Sequence, residues 1–182
     1  MYRDYHDVLS EKAEFLLKLK PDDRYFRYYS LKSVIKMLEK GMELYSLNHE
    51  LQLRKFVSVT ERGLQKFNEV TTFKGSKLWI GSSMQMFIDT FWLPLPEVEF
   101  HEHLYEYDFN FNYFFQTYIT NIKAIEKRHW AFTLTTEDDS GYITNNLIIR
   151  TPNEALLQDE KTAWERANEE VLLLGGQPTL KT

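Results

Sequence analysis

The chain of 182 residues contains no cysteine. That absence excludes disulfides, thiol nucleophiles, zinc knuckles and cysteine-ligated clusters together, and it fits a reducing compartment. Glycine and proline are scarce, at 7 and 5 residues, too few for a collagenous or low-complexity chain. No stretch approaches the roughly 18 uncharged apolar residues of a membrane-spanning helix. The opening "MYRDYHDVLSEKAEF" carries charges where a secretory signal needs an apolar run, so the expectation is a soluble, cytoplasmic protein with no membrane contact. Lys and Arg are missing from residues 78–122, which hold the acids Asp89, Glu97, Glu99, Glu102, Glu106 and Asp108. Such a one-signed stretch attracts a basic partner and repels phosphate.

Aromatic residues are abundant, with 13 Phe, 11 Tyr and 4 Trp, which predicts a ring-rich core. The length suits one domain. Its pattern predicts a mainly α fold, a single-domain helical bundle over residues 1–176 with a loose tail at 177–182 and a possible small β-hairpin near 131–150. Ser10 before "EKAEFLLKLK" reads as a capped helix ending at Pro21. "SLKSVIKMLEKGMELYSLN" spaces Leu31, Val34, Ile35, Leu38, Met42 and Tyr45 along one helical face. "HELQLRKFVSVTERGLQKFNEV" repeats that spacing, with Gly63 as its weak point. Ser82 and Gln85 have capping-box spacing before a fourth helix that closes at "LPLP".

The stretch "YEYDFNFNY", residues 105–113, alternates rings with acids and amides. Residues 97–109 stay open to an extended segment, whereas Phe111, Phe114, Phe115 and Tyr118 join a helical stripe over 111–127 and are expected in the core. Tyr105 and Tyr107 are expected to be more exposed. "AFTLTTEDDSGYITNNLIIRT" reads as a hairpin turning at "EDDSG". "TPNE" supplies a capping box for a last helix that ends at Gly175–Gly176.

Four constellations bear on chemistry. On a strand, Glu99, His101 and His103 share a face and form a two-His, one-carboxylate set able to bind Fe(II), Zn or Mn, while on a helix the two His residues diverge. Glu126 and His129 match one copy of a di-iron Glu-x-x-His, whose second copy is missing. "RYFRYYSLK" mixes Arg24, Arg27 and Lys32 with four rings, the blend that stacks bases and neutralises phosphate. The pI of about 5.6 and the neighbouring Asp22 and Asp23 favour instead a connecting segment whose rings enter the core. The acids of 97–108 could include a glycosidase-like pair, as any acidic segment could. Phosphate loops, dinucleotide fingerprints, nucleophile elbows and zincin motifs are absent. The expectation is no enzyme, no cofactor and no nucleic-acid partner.

Small size, acidity, lack of cysteine and the acidic "EVEFHEHLYEYDF" together resemble bacterial toxin-immunity proteins of contact-dependent or other polymorphic toxin systems. The resemblance implies an inhibitor that binds and blocks a cognate toxin, for an acidic surface a basic nuclease domain. Glu97, Glu99, Glu102, Tyr105, Glu106, Tyr107 and Asp108 would form the acidic–aromatic binding surface. Two alternatives stand beside it: a subunit of an oligomeric or phage assembly, and a metal-dependent enzyme at His101 and His103.

Overall fold

The computed structural model describes residues 3–88, 91–95, 98, 102–111, 113–138 and 140–152. These residues are mainly β, and the expected helical bundle does not form. In chain order the elements are β1 (Leu9–Ser10), β2 (Glu14–Leu17), β3 (Arg27–Ser30), α1 (Leu31–Glu39), β4 (Tyr45–Leu47), β5 (Leu53–Thr72), β6 (Lys77–Ile80), β7 (Gln85–Ile88), β8 (Phe91–Pro94), β9 (Leu104–Asp108), β10 (Tyr113–Thr117), β11 (Ile119–Thr136), β12 (Tyr142–Thr144) and β13 (Leu147–Arg150). Five strands form one sheet in the order β11-β1-β6-β5-β4, with β11 also paired to β5. A second sheet runs β10-β9-β7-β13-β12-β2-β3, with β8 added on β7.

The spine is the long antiparallel ribbon of β5 and β11, in register from Thr72 opposite Ile119 to Phe56 opposite Thr136. Residues 49–70, expected as a helix, supply most of β5. Apolar residues three and four apart mimic a helical stripe there, but burial follows strand geometry: Phe56 is buried while its neighbour Val57 faces out. β-Branched Val57, Val59, Thr60, Val70, Thr71 and Thr72 suit the pleated surface. Gly63 has a φ of +71° and sits where Ala131 and Phe132 face Gly63 and Glu61, leaving Arg62 as the extra residue of a β-bulge. A second irregularity places Glu126, Lys127 and Arg128 between the Ile125–Phe67 and His129–Gln65 pairs. Glu126 and His129 are thus on a bulged strand, with none of the helical spacing that a di-iron motif requires.

Of the expected second helix, α1 is real. Ser30 caps it by accepting from the Ser33 amide at 3.2 Å, and the helix stops before Gly41 at φ +76°; the remainder becomes β4. The expected first helix is β2, the fourth is β7 and β8, and the stripe over 111–127 is β10 and the start of β11. The hairpin expected to turn at "EDDSG" does not form, since residues 131–136 pair with β5; a different hairpin, β12 with β13, turns at Asn145–Asn146. Both turn residues have positive φ, +47° and +66°, as a two-residue type I′ turn requires. The expected helix after Thr151 and the tail at 177–182 lie outside the described residues.

The core joins the sheets through an aromatic trio. Phe15 of β2 meets Phe56 of β5 edge-on at 5.6 Å, and Phe56 meets Tyr142 of β12 at 5.7 Å. Among the described residues no helix is long and apolar enough to cross a membrane.

Candidate functional site

Segment 6–10 and, far away in sequence, Thr151 just after β13 are anchored on neighbouring residues of β11. β1 pairs with β11 at Leu9–Phe132 and Ser10–Ala131. One residue further along β11, the Thr133 hydroxyl accepts from Arg62 Nε at 3.0 Å and donates to the Asp7 carbonyl at 3.2 Å. At the next residue, the Leu134 carbonyl accepts the Thr151 hydroxyl at 2.7 Å. Tyr142 completes the junction: its phenol lies 3.3 Å from Thr151 Oγ1. Burial pushes the pKa of that phenol up, the Thr151 hydrogen bond opposes the rise, and the charge of Asp7 adds to it.

The turn between β6 and β7 closes on the first segment. The Gly81 amide donates to the Val8 carbonyl and the Ser83 amide to the His6 carbonyl, both at 2.9 Å. Three successive carbonyls, at His6, Asp7 and Val8, therefore each hold a donor from another element. The approach is close enough to dictate glycine: a Cβ on Gly81 would lie 2.3 Å from the His6 carbonyl oxygen. Ser82, in the same turn, places Oγ 3.2 Å from His6 Nδ1. A hydroxyl within hydrogen-bond reach of an imidazole is the spacing that a nucleophile–base pair needs. Val8 and Met84 add buried apolar side chains. On the other side, the Arg150 guanidinium donates to the Gln85 amide oxygen and lies 4.6 Å from the Trp92 ring centre.

Among the described residues, those expected to bind a partner do not gather into one acidic face. Glu97 and Glu99 lie outside the described residues, and Glu102 is half-buried at a bend before β9. Glu106, expected on the surface, is 2% exposed, with Oε2 accepting from the Ser76 hydroxyl at 3.1 Å. Tyr107 is 3% exposed and packs with Leu16, Leu47 and Ile143. Tyr105 is half-buried beside Phe87, and Asp108 turns its carboxylate onto the amides of Asn110 and Phe111. The physical reason is a hairpin: β9 pairs with β10 from Tyr113–Asp108 to Thr117–Leu104 on one side and with β7 and β13 on the other, so β9 lies within the second sheet while the turn at its end stays open. Phe111, expected in the core, is at the open tip and 74% exposed. Of the alternative metal ligands, Glu99 and His101 lie outside the described residues, and His103 is exposed just before β9. Among the described residues no group of three His, Asp or Glu is arranged to hold a metal.

Sequence reasoning missed the segments that do converge. Ser82 reads as a helix cap and Thr151 as another, because a small hydroxyl residue before an apolar run signals a helix start. The Gly81–Ser82–Ser83 turn cluster and the "TNN" before an apolar run were the available signals of strand ends.

No protein-family model matches this chain, and no curated protein does. Solved inteins share the fold. The DnaB intein from Synechocystis sp. PCC 6803 aligns with a TM-score of 0.65 at 17% identity, over 80% of this chain and 99% of that one. The VidaL intein gives a TM-score of 0.65 at 7% identity, over 81% of this chain and 98% of that one. A transcription factor IIB Mvu mini-intein gives 0.61 at 10% identity, over 79% and 98%. At these identities the likeness is one of fold. It replaces the resemblance to toxin-immunity proteins, and with it the expectations of a toxin partner and of a non-enzymatic inhibitor; the subunit and metal-enzyme alternatives find no match either.

Proposed function

We propose that this chain is an intein-type element that processes the polypeptide in which it is embedded. The observation that carries this reading is the meeting of segment 6–10 and Thr151 on neighbouring residues of β11, in a fold aligned with nearly the full length of several inteins. A substrate that is part of the same chain needs no open cleft, and these segments are held by strand pairing. Without cysteine the nucleophile is oxygen, and the hydroxyl taken here is that of Ser82, which has the His6 imidazole in reach and lies in the turn that holds the carbonyls of segment 6–8.

The reaction is an acyl transfer. Ser82 Oγ attacks the His6 carbonyl carbon, whose oxygen already accepts from the Ser83 amide, so developing negative charge meets a fixed donor. The C–N bond to Asp7 breaks, the acyl group of His6 passes to Ser82 as an ester, and the hydroxyl proton moves through the imidazole to the Asp7 nitrogen. Water then attacks the ester, leaving a carboxylate on His6 and restoring the Ser82 hydroxyl. The cysteine-free composition accords with a cytoplasmic setting.

The strand pairing and hydrogen bonds that tie segment 6–10 and Thr151 to β11 also favour a second reading, in which the intein-type geometry holds the two segments together as a scaffold. Hydroxylamine, which cleaves esters and spares amides, tests the first. The chain carrying a folded tag on each side is treated and its products are weighed by mass spectrometry. Scission between His6 and Asp7, abolished in Ser82→Ala and reduced in His6→Ala, is expected. An intact chain throughout contradicts the ester and leaves the scaffold.

A further inference from the structure

The basic–aromatic segment "RYFRYYS" was expected to turn its rings into the core; Phe26 and Tyr29 do pack against it, and Tyr25 and Tyr28 turn out. The segment's last four residues form β3, and residues 24–26, at the end of the β2–β3 connection, face the tip of the β9–β10 hairpin across a cleft of about 500 Å³. Tyr25, 67% exposed, and Phe26 line one side; Phe109, 48% exposed, and Asn110 line the other. Lys18 and Arg24 enter the same cleft, with Lys18 Nζ 4.7 Å from the Phe26 ring centre and Arg24 5.6 Å from that of Tyr25. Tyr28 ties the two walls together: its ring lies 5.3 Å from that of Phe109, and its hydroxyl donates to Asn146 at 2.6 Å. A smaller cleft lined by Arg27 and Tyr29 shares Arg24 and Tyr25 and extends the surface along β3.

Acids are present on this face, but two of them serve their own turns. Asp23 Oδ2 accepts the Lys20 amide at 3.1 Å. Asp108 Oδ1 accepts the amides of Asn110 and Phe111. Asp22 is the remaining carboxylate of the loop, against the cations Lys18, Lys20, Arg24 and Arg27. The acidic stretch of residues 78–122 contributes Asp108 to this face, while its Glu106 is buried on β9.

Exposed rings interleaved with cations match one chemistry well. A nucleotide offers a planar base to stack on Tyr25 or Phe109 and a phosphate to pair with Lys18 and Arg24, while the Asn110 amide can meet a base edge. An apolar peptide would leave the cations unpaired, and an acidic peptide would leave the rings without partners. We propose that the cleft between the β2–β3 connection and the β9–β10 tip binds nucleotide units of single-stranded nucleic acid. This surface is separate from the junction on β11.

Fluorescence anisotropy with a labelled oligothymidylate of about a dozen nucleotides tests the proposal. Binding at low salt should weaken as salt rises. Tyr25→Ala with Phe109→Ala should weaken it about tenfold or more through lost stacking. Lys18→Glu with Arg24→Glu should do the same and lower the salt slope by about two. These side chains are largely outside the core, and unchanged thermal unfolding of each variant confirms that the fold is kept. A mononucleotide that competes assigns the cleft to a single nucleotide unit, and one that does not assigns it to the continuous strand. No binding at low salt, equal binding by all variants, equal affinity for a duplex of the same length, or displacement by polyglutamate at matched charge would each overturn the proposal.

Discussion

Individual rings divide sharply between holding the fold and facing solvent. Phe56 contacts both Phe15 and Tyr142 and bridges β5 to the second sheet. Phe56→Ala should therefore cost about 3–5 kcal/mol of unfolding free energy, read from urea denaturation. Phe111→Ala, at the hairpin tip, should change it by less than about 0.5 kcal/mol. Tyr142 adds a pH dependence. Burial raises its pKa above the ordinary value of 10.0, so the folded state holds the phenolic proton more tightly than the unfolded chain does. That stability is fully present below pH 10 and is lost as pH rises above it, by about 1.4 kcal/mol per pH unit while one proton separates the states. Tyr28 and Tyr107 shift in the same direction, also through burial, so Tyr142→Phe should make the alkaline loss shallower by about one proton without abolishing it. Stability measured between neutral pH and pH 11 checks this. At this scale the sequence was partly informative: Phe15, Phe56, Phe67, Tyr107 and Tyr142 are buried, but the core is mainly aliphatic, many rings are exposed, and Tyr107 and Phe111 exchange the places expected for them. Periodicity reports which residues are apolar, and only the hairpin decides which end of it is covered.

Elements depend on a few backbone positions. Gly81 brings the β6–β7 turn against segment 6–8, where a methyl group would sit 2.3 Å from a backbone oxygen. Gly81→Ala should cost about 1–3 kcal/mol. Gly63 has open space around it but a φ of +71°, so Gly63→Ala should cost about 1–2 kcal/mol through backbone strain alone. Chemical denaturation of the two variants separates the causes: a companion truncation, His6→Gly, leaves the backbone clash at Gly81 in place and should not rescue it. The helix expected over residues 49–70 shows why element type was hard to read. Bulges at Arg62 and at 126–128 interrupt the two-residue alternation of β5 and β11, and an interrupted alternation with apolar residues three and four apart imitates a helix. By contrast, the stripe of Leu31, Val34, Ile35 and Leu38 is read correctly as helix, although α1 ends at Glu39 and leaves Met42 and Tyr45 outside it. The Asn145–Asn146 turn carried a legible hairpin signal that "EDDSG" outweighed.

Across the molecule, the two sheets and the β5–β11 ribbon bring residues about 140 positions apart to neighbouring places on one strand. No local pattern encodes such a meeting, since it arises from pairings between strands distant in sequence. What could be read was the absence of cysteine, and it limits the chemistry at the junction to oxygen and nitrogen groups. The most direct measurement is an intact-mass time course on the purified chain with a folded tag on each side, followed at several protein concentrations. Processing of its own chain should release a fragment ending at His6 with first-order kinetics and a rate constant independent of concentration, and Ser82→Ala should halt it. A precursor whose mass does not change, or a rate that scales with protein concentration, would contradict an element that acts on the polypeptide carrying it.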